Sequence, residues 1–279
     1  MEHAASKQWH GHTDAPRVSD GDSLRKRWAI WLFLPFRWIY KIWFALVFFL
    51  SLVVLYIPFR ILLRREQGYP QAFRLMRVWG RFLNFALLVP IVVKRHGKLP
   101  PPPYIACVNH SSYLDIIHTY NLVPHYFLFM GKYELLKWPL FNIFFKGMNI
   151  AVNRGNRTEA ARALMKAARA IDQGISVAIF PEGTIPLTAP RMKLFKDGAF
   201  KLAIEKQVPI VPITFLDHWR LFGDPEQPLS RARPGIARAV IHPAIPTTGL
   251  TEADLDNLRQ RVFATIEAPL ITAVPHRTP

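Results

Sequence analysis

The sequence predicts an α/β fold, a mixed sheet flanked by helices, with an N-terminal membrane-associated helical segment in front of it. Three observations carry this. Short apolar runs rich in strand formers recur at 104–108, 126–130, 149–152, 176–180, 210–215 and 237–241. Between and after them lie stretches of helical periodicity at about 112–122, 133–146, 157–173, 194–206 and 251–267, and such alternation builds a sheet covered by helices. Near the N-terminus, Ile42 to Phe59 holds no charge over eighteen residues, with Lys41 and Arg60 at its ends.

The chain divides into three parts. Residues 1–23 are polar, lack apolar periodicity and read as a disordered tail with no signal-peptide pattern. Residues 24–98 read as a membrane-anchoring helical region. It opens on the basic cluster Arg25, Lys26 and Arg27. An aromatic interfacial stretch, Trp28 to Tyr40, follows and is broken by Pro35 and Arg37. Ile42 to Phe59 is just long enough to span a thin bilayer or to re-enter it. The arginines that follow, Arg60, Arg64, Arg65, Arg74, Arg77 and Arg81, put that side in the cytoplasm by the positive-inside rule, at a bacterial inner membrane. Phe82 to Val93 is apolar but too short to span, and Ile91 to Arg95 has the look of a first strand. Pro100 to Pro103 divide this region from an α/β domain over 99–279.

Composition narrows the partners. There are 36 Lys and Arg against 19 Asp and Glu, a formal charge of +17, so the chain suits an anionic partner. An apolar fraction of 51%, with eight Trp and twenty Phe, is high for a soluble nucleic-acid binder and fits a protein on a lipid surface. One cysteine, Cys107, rules out an internal disulfide, and no spacing of Cys and His suggests a metal.

Two strand ends carry chemistry. Tyr104 to Asp115 reads Y-I-A-C-V-N-H-S-S-Y-L-D: a buried strand, then His110 on a strand-to-helix turn, then a helix start at Ser112. Open α/β sheets place ligands at that carboxyl edge. Asp115 lies one turn into the helix and can reach back to fix the tautomer of His110 and stabilise its imidazolium. The same S-x-x-D spacing also fits a capping box, in which Asp115 bonds only the backbone of Ser112. No G-x-S-x-G elbow occurs, so a His-Asp pair here suits activation of a hydroxyl on the substrate itself. The second strand end, Val177 to Thr184, reads V-A-I-F-P-E-G-T and brings Glu182 and Gly183 to the same edge. Basic residues including Lys132, Arg154, Arg191, Lys193 and Lys196 surround both.

The ordered blocks N-H-S-S-Y-L-D, G-M-N-I-A-V-N-R, F-P-E-G-T and V-P-I-V-P-I resemble those of the lysophospholipid acyltransferase family, over about residues 80–245. The resemblance implies a catalytic base at His110 and an orienting carboxylate at Asp115. It implies acceptor contacts at Lys132, Arg154, Glu182, Gly183 and Thr184, and an acyl pocket shaped by Val208, Pro209 and Ile210. It also implies an acyl-CoA or acyl-ACP co-substrate, a lysophospholipid acceptor among membrane lipids, and neither metal nor bound cofactor. The third block departs from the family at Ile185, where an arginine for the acceptor phosphate is usual. Arg191 or Lys193 would have to replace it. The alternatives are a lyso-amino-acid lipid acceptor, a hydrolase using water, or a non-catalytic basic membrane adaptor on the same fold.

Overall fold

The computed structural model describes residues 20–153, 155–224 and 227–273. Seven strands form one sheet: β1 (Ile91–Arg95), β2 (Ile105–Val108), β3 (Phe127–Lys132), β4 (Ile150–Val152), β5 (Ser176–Ile179), β6 (Ile210–Phe215) and β7 (Ala237–Ile241). Their spatial order is β1-β7-β6-β2-β5-β3-β4. The five strands from β6 to β4 all run parallel, while β7 pairs antiparallel with β6 and parallel with β1. All six apolar runs read as strands are strands, and Ile91 to Arg95 makes the seventh.

The helices are α1 (Asp20–Leu62), α2 (Tyr69–Ala86), α3 (Leu114–Leu122), α4 (Arg157–Asp172), α5 (Gly198–Lys206), α6 (His218–Leu221) and α7 (Leu255–Ala273). Asn156 caps α4 by accepting from the Thr158 and Glu159 amides at 3.0 and 3.2 Å. Gly174, at φ +79°, ends it in the left-handed region that glycine enters without strain.

Side-chain alternation in the strands separates two cores. Ala106, Val108, Ala178, Phe180, Val211, Ile213 and Phe215 face a core shared with α1, α2 and α3. Ile105, Cys107, Val177, Ile179 and Ile210 face the other, built with α4, α5 and α7. Continuing the period of two from Ala106 and Val108 directs residue 110 to the first face.

Three sequence expectations change here. Pro35 does not break the chain, because α1 runs through both Pro35 and Pro58 as a single 43-residue helix. Residues 133–146 form two short 3₁₀ turns, Tyr133–Lys137 and Asn142–Phe145, and the Trp138-Pro139 step between them stops a longer helix. The boundary at 98/99 does not separate two bodies. β1 precedes it yet belongs to the sheet, and α1 and α2 pack into the first core. The tail expected over 1–23 lies outside the described residues up to 19, and α1 starts at Asp20.

One face of α1 is docked from Tyr40 to Phe59. Tyr40 Oη donates to the Leu87 carbonyl at 2.7 Å and Lys41 Nζ to the Pro228 carbonyl at 2.9 Å. Phe44 stacks on Phe222 with ring centroids 3.9 Å apart. Trp79 of α2 donates to Ser51 Oγ at 2.8 Å, and Phe59 sits edge-on to Phe144 at 4.9 Å. The opposite face stays apolar and open, with Ile42, Leu46, Leu50, Val53, Val54 and Ile57 all exposed. Residues 34–62 are long and apolar enough to cross a membrane.

Candidate active site

Parallel pairing of β6, β2, β5 and β3 aligns their carboxyl ends on one edge. From β6 this edge receives His218, from β2 His110, from β5 Glu182, and from β3 Lys132. Asn109 sets the exit of β2: its side-chain amide donates to the Phe215 carbonyl at 3.1 Å and accepts from the Phe215 amide at 2.7 Å. It thereby extends the ladder with β6 by one side chain, and His110 follows in a fixed position.

Asp115 is fully buried on the first turn of α3. Its Oδ2 accepts from the Ser111 amide at 2.6 Å, the Ser112 amide at 2.8 Å and His110 Nδ1 at 3.0 Å. Its Oδ1 accepts from His218 Nδ1 at 2.6 Å. Burial alone raises a carboxyl pKa, but hydrogen bonds from His110 and His218 outweigh it and bring that of Asp115 down to about 2. An ionised carboxylate only accepts, so both rings carry their proton on Nδ1. Capping and orientation of His110 are therefore done by the same oxygen. With Nδ1 engaged, Nε2 is the nitrogen of His110 left to act as a base. Phe180 stacks on the His110 ring at 4.1 Å and 14°.

Glu182 points inward. It accepts from the His110 amide at 2.7 Å and the Lys193 amide at 2.9 Å, and it is 3% exposed. It clamps the loop after β5 to the turn after β2. Burial raises its pKa to about 7, against the lowering effect of those two amides. Gly183 follows at φ +80°, and a Cβ there would meet Lys196 Cε at 3.0 Å, so this turn requires glycine.

A cavity of about 410 Å³ opens at His110. Phe48, Trp79, Leu83, Ile117, Phe141 and Phe144 are among the apolar side chains lining it, from α1, α2, α3 and the 3₁₀ turns. Lys132, Thr184, Ile185 and Lys193 line it as well. Lys193 Nζ donates to Thr184 Oγ1 at 2.9 Å. Arg191 is exposed and does not line the cavity, and Arg154 lies outside the described residues.

Val208, Pro209 and Ile210, expected at the acyl pocket, are not in this lining. Val208 and Ile210 are buried in the second core, behind the sheet. The alternation along β6 explains it, since Val211, Ile213 and Phe215 take the face that looks toward the cavity side.

Sequence reasoning missed His218. Its Nε2 meets His118 Nδ1 at 2.8 Å, and His118 Nε2 meets Asn84 Oδ1 at 3.0 Å. His218 stands 103 residues from Asp115 on a one-turn helix, and no local pattern marks it.

The geometry defines a class: an α/β fold in which a histidine held by a buried carboxylate faces a mostly apolar cavity. Comparison with known proteins adds to this. Residues 90–216 match the family described as Acyltransferase. The 1-acyl-sn-glycerol-3-phosphate acyltransferase of Chlamydomonas reinhardtii is 32% identical over 186 residues, covering 65% of this chain and 54% of the algal one. The human 1-acyl-sn-glycerol-3-phosphate acyltransferase alpha is 29% identical over 238 residues, 84% of this chain and 82% of the human one. The crystal structure of the 1-acyl-sn-glycerophosphate acyltransferase PlsC from Thermotoga maritima superposes with a TM-score of 0.70, covering 87% of this chain and 98% of that one. At 21% identity that likeness speaks for the fold. Residues 90–216 thus carry the pattern described as Acyltransferase, and the chain is similar to 1-acyl-sn-glycerol-3-phosphate acyltransferases, spanning about half the length of the algal one.

Glu182 yields a pH prediction. Its folded pKa of about 7 lies above the ordinary 4.5, so the stability it contributes is full below 4.5 and is lost as pH rises through 7. Glutamine imitates the neutral form at every pH. The stability of the wild type relative to Glu182→Gln should therefore decline between pH 4.5 and 7.5, as read from denaturant midpoints. A relative stability that grew over that range would contradict the assignment.

Proposed function

We propose that this chain moves a fatty acyl group from an acyl thioester, on coenzyme A or acyl carrier protein, to the free hydroxyl of a lysophospholipid. The favoured acceptor is 1-acylglycerol 3-phosphate, and the product is phosphatidate. The observation that carries this is the His110–Asp115 pair opening into an apolar cavity also lined by Lys132 and Lys193.

In this reading His110 Nε2 takes the proton from the acceptor hydroxyl while its oxygen attacks the thioester carbonyl carbon. Asp115 holds the ring and balances the imidazolium. When the tetrahedral intermediate collapses, the C–S bond breaks and the imidazolium returns the proton to the leaving thiolate. The amides of Ser111, Ser112 and Leu114 already bond Asp115 and Ser112 Oγ, so the oxyanion takes its donors from elsewhere in the site. The acceptor's chain lies against the apolar lining, and Lys132 and Lys193 meet its phosphate. Lys193 replaces the family's arginine at Ile185, because both line the same cavity.

A lyso-amino-acid lipid is the second reading, favoured by one observation: Ile185 gives a phosphate nothing to bond.

The seat of the reaction is a membrane surface. A helix docked by one face from Tyr40 to Phe59 cannot also be surrounded by lipid, so α1 lies in the plane of one leaflet with its open apolar face immersed. Val78, Phe82 and Phe85 of α2 continue that face. The basic excess supports the reading of this surface as the cytoplasmic leaflet of a bacterial inner membrane.

Three measurements test this. His110→Ala should lower kcat for acyl transfer to lysophosphatidate by about 10² to 10⁴, the usual worth of a general base, while the protein stays folded; near-normal turnover would end the mechanism. Lys193→Ala should weaken use of lysophosphatidate by about 1.5–3 kcal/mol in kcat/KM, and Ile185→Arg should partly restore it. Strong transfer to a lyso-amino-acid lipid with none to lysophosphatidate would replace the first reading by the second. Finally, Leu50→Glu combined with Val54→Glu, at side chains 64% and 75% exposed, should abolish flotation with phosphatidylglycerol-containing vesicles in high salt. Unchanged flotation would remove α1 as the anchor.

A further inference from the structure

Three buried groups behind His110, with the half-buried Asn84, form a single line that the proposed acyl transfer does not account for. Asp115 Oδ1 meets His218 Nδ1 at 2.6 Å, His218 Nε2 meets His118 Nδ1 at 2.8 Å, and His118 Nε2 meets Asn84 Oδ1 at 3.0 Å. Asp115, His118 and His218 are each 0% exposed. The line joins three elements: α6 beyond β6, α3, and α2, whose Met76, Trp79, Gly80 and Leu83 line the cavity.

We propose that His218 is a positioning residue of the catalytic centre: it holds the second oxygen of Asp115 and, through His118 and Asn84, ties the carboxylate behind His110 to the cavity wall on α2. The proposal rests on the acyl-transfer reading for its kinetic readout only.

Proton counting supports it. With Asn84 Oδ1 facing His118, the Nε2 of His118 donates, its Nδ1 accepts from His218 Nε2, and His218 donates again from Nδ1 to Asp115. The two rings then hold three protons, and His218 is an imidazolium paired with the Asp115 carboxylate. If the Asn84 amide is turned so that its NH₂ faces His118, the direction reverses. His118 then donates from Nδ1, His218 accepts at Nε2, and the rings hold two protons. In both arrangements Nδ1 of His218 carries a proton aimed at Asp115. The donor is fixed by geometry, and only the charge of the line depends on the amide.

The setting keeps the line isolated. His218 stacks on Phe215 at 4.1 Å. Burial and the neighbouring His218 hold the His118 pKa well below its ordinary value, against Asp115 and a Val89 backbone contact that favour its charged form. On the His110 side the nearby charges are Glu182 and Lys193. Beyond α6, Asp217 is engaged by Arg220 and by Arg238, whose Nε donates at 2.6 Å.

Two consequences follow. Without the Oδ1 donor, Asp115 is held by one oxygen only and can turn about its Cβ–Cγ bond, which loosens the imidazole it orients. A donor removed from the carboxylate also raises the proton affinity of the Asp115–His110 pair, so His110 keeps its proton to higher pH.

The test uses full-length protein in mixed micelles. His218→Phe keeps a ring on Phe215 and removes both ring nitrogens; His218→Asn restores an N–H at the Nδ1 position. His218→Phe should lower kcat roughly 10- to 100-fold with KM for both substrates within about twofold. It should also shift upward, by about half a pH unit or more, the midpoint at which His110 becomes reactive to diethyl pyrocarbonate, read by peptide mass spectrometry. His218→Asn should return both values most of the way. An unchanged kcat and reactivity profile in His218→Phe, or an asparagine variant no better than the phenylalanine one, overturns the proposal. Should His218→Phe not fold, ¹⁵N-histidine labelling of the wild type decides: Nδ1 of His218 must carry a proton, and a bare Nδ1 overturns it. The reactivity and labelling readouts need no acceptor. Failure of wild-type acyl transfer would thus sink the proposed function while leaving this inference separately testable.

Discussion

A buried carboxylate is costly. Taking one out of water costs several kcal/mol even after the protein relaxes around it, unless donors replace the lost hydration. Asp115 meets that requirement with four donors: two amides of its own turn and two imidazoles from opposite sides. Each donor belongs to a different structural demand. The amides start α3, His110 closes β2, and His218 closes β6. The three elements converge because the carboxylate needs them, and the reactive ring is fixed as a by-product of satisfying the charge. Sequence reading posed capping and catalysis as rival accounts of Asp115. One oxygen performs both, because a carboxylate has room for several donors.

The sheet makes that convergence possible. Parallel strands present all their carboxyl ends on one edge, and four neighbours, β6, β2, β5 and β3, each supply one group there. Strand pleating then decides where the reaction faces. Residues of even number in β2 and β5 look toward α1 to α3, so His110 continues the row of Ala106 and Val108. That side carries the apolar helices and hence the cavity. The other side is packed by α4, α5 and α7. Had β5 run antiparallel to β2, Glu182 and His110 would lie at opposite ends of the sheet.

How much of this was legible depended on the range of the interaction that fixes it. Strands and most helices were readable because period and punctuation are local, and so were His110, Asp115 and Glu182, which sit where apolar runs stop. The segment 133–146 was misread although Pro139 lay inside it, since its apolar spacing outweighed the breaker. Val208 to Ile210 were placed in the acyl pocket through family likeness, while the alternation in β6 already pointed Ile210 to the far core. His218 and Asn84 carried no sequence signal at all. Their role exists only after β6 and α2 have been brought beside α3, and nothing within a few residues of either announces it. The same holds for Asn109, whose amide acts as one more rung of a ladder formed with a strand over a hundred residues away.

The proposed lipid reaction and the placement of the apolar surfaces constrain each other. The cavity wall includes inward residues of α1 and α2, such as Phe48, Trp79 and Leu83, and the outward residues of the same two helices form the exposed apolar face. In the proposed reaction a chain leaving a leaflet would travel only the width of one helical layer before meeting His110. Lysine is the suitable cation at such a boundary, because its long apolar stem lies along the cavity lining while the ammonium stays with the phosphate. A second, unneutralised phosphate partner deep in the cavity would have to be desolvated, and Ile185 removes that demand. Substituting a lysine at 193 for an arginine at 185 thus exchanges planar, two-point recognition for a movable point charge. Under the proposed function the site would hold its acceptor chiefly by the acyl chain and the aligned hydroxyl, and would discriminate head groups less sharply than one with a guanidinium.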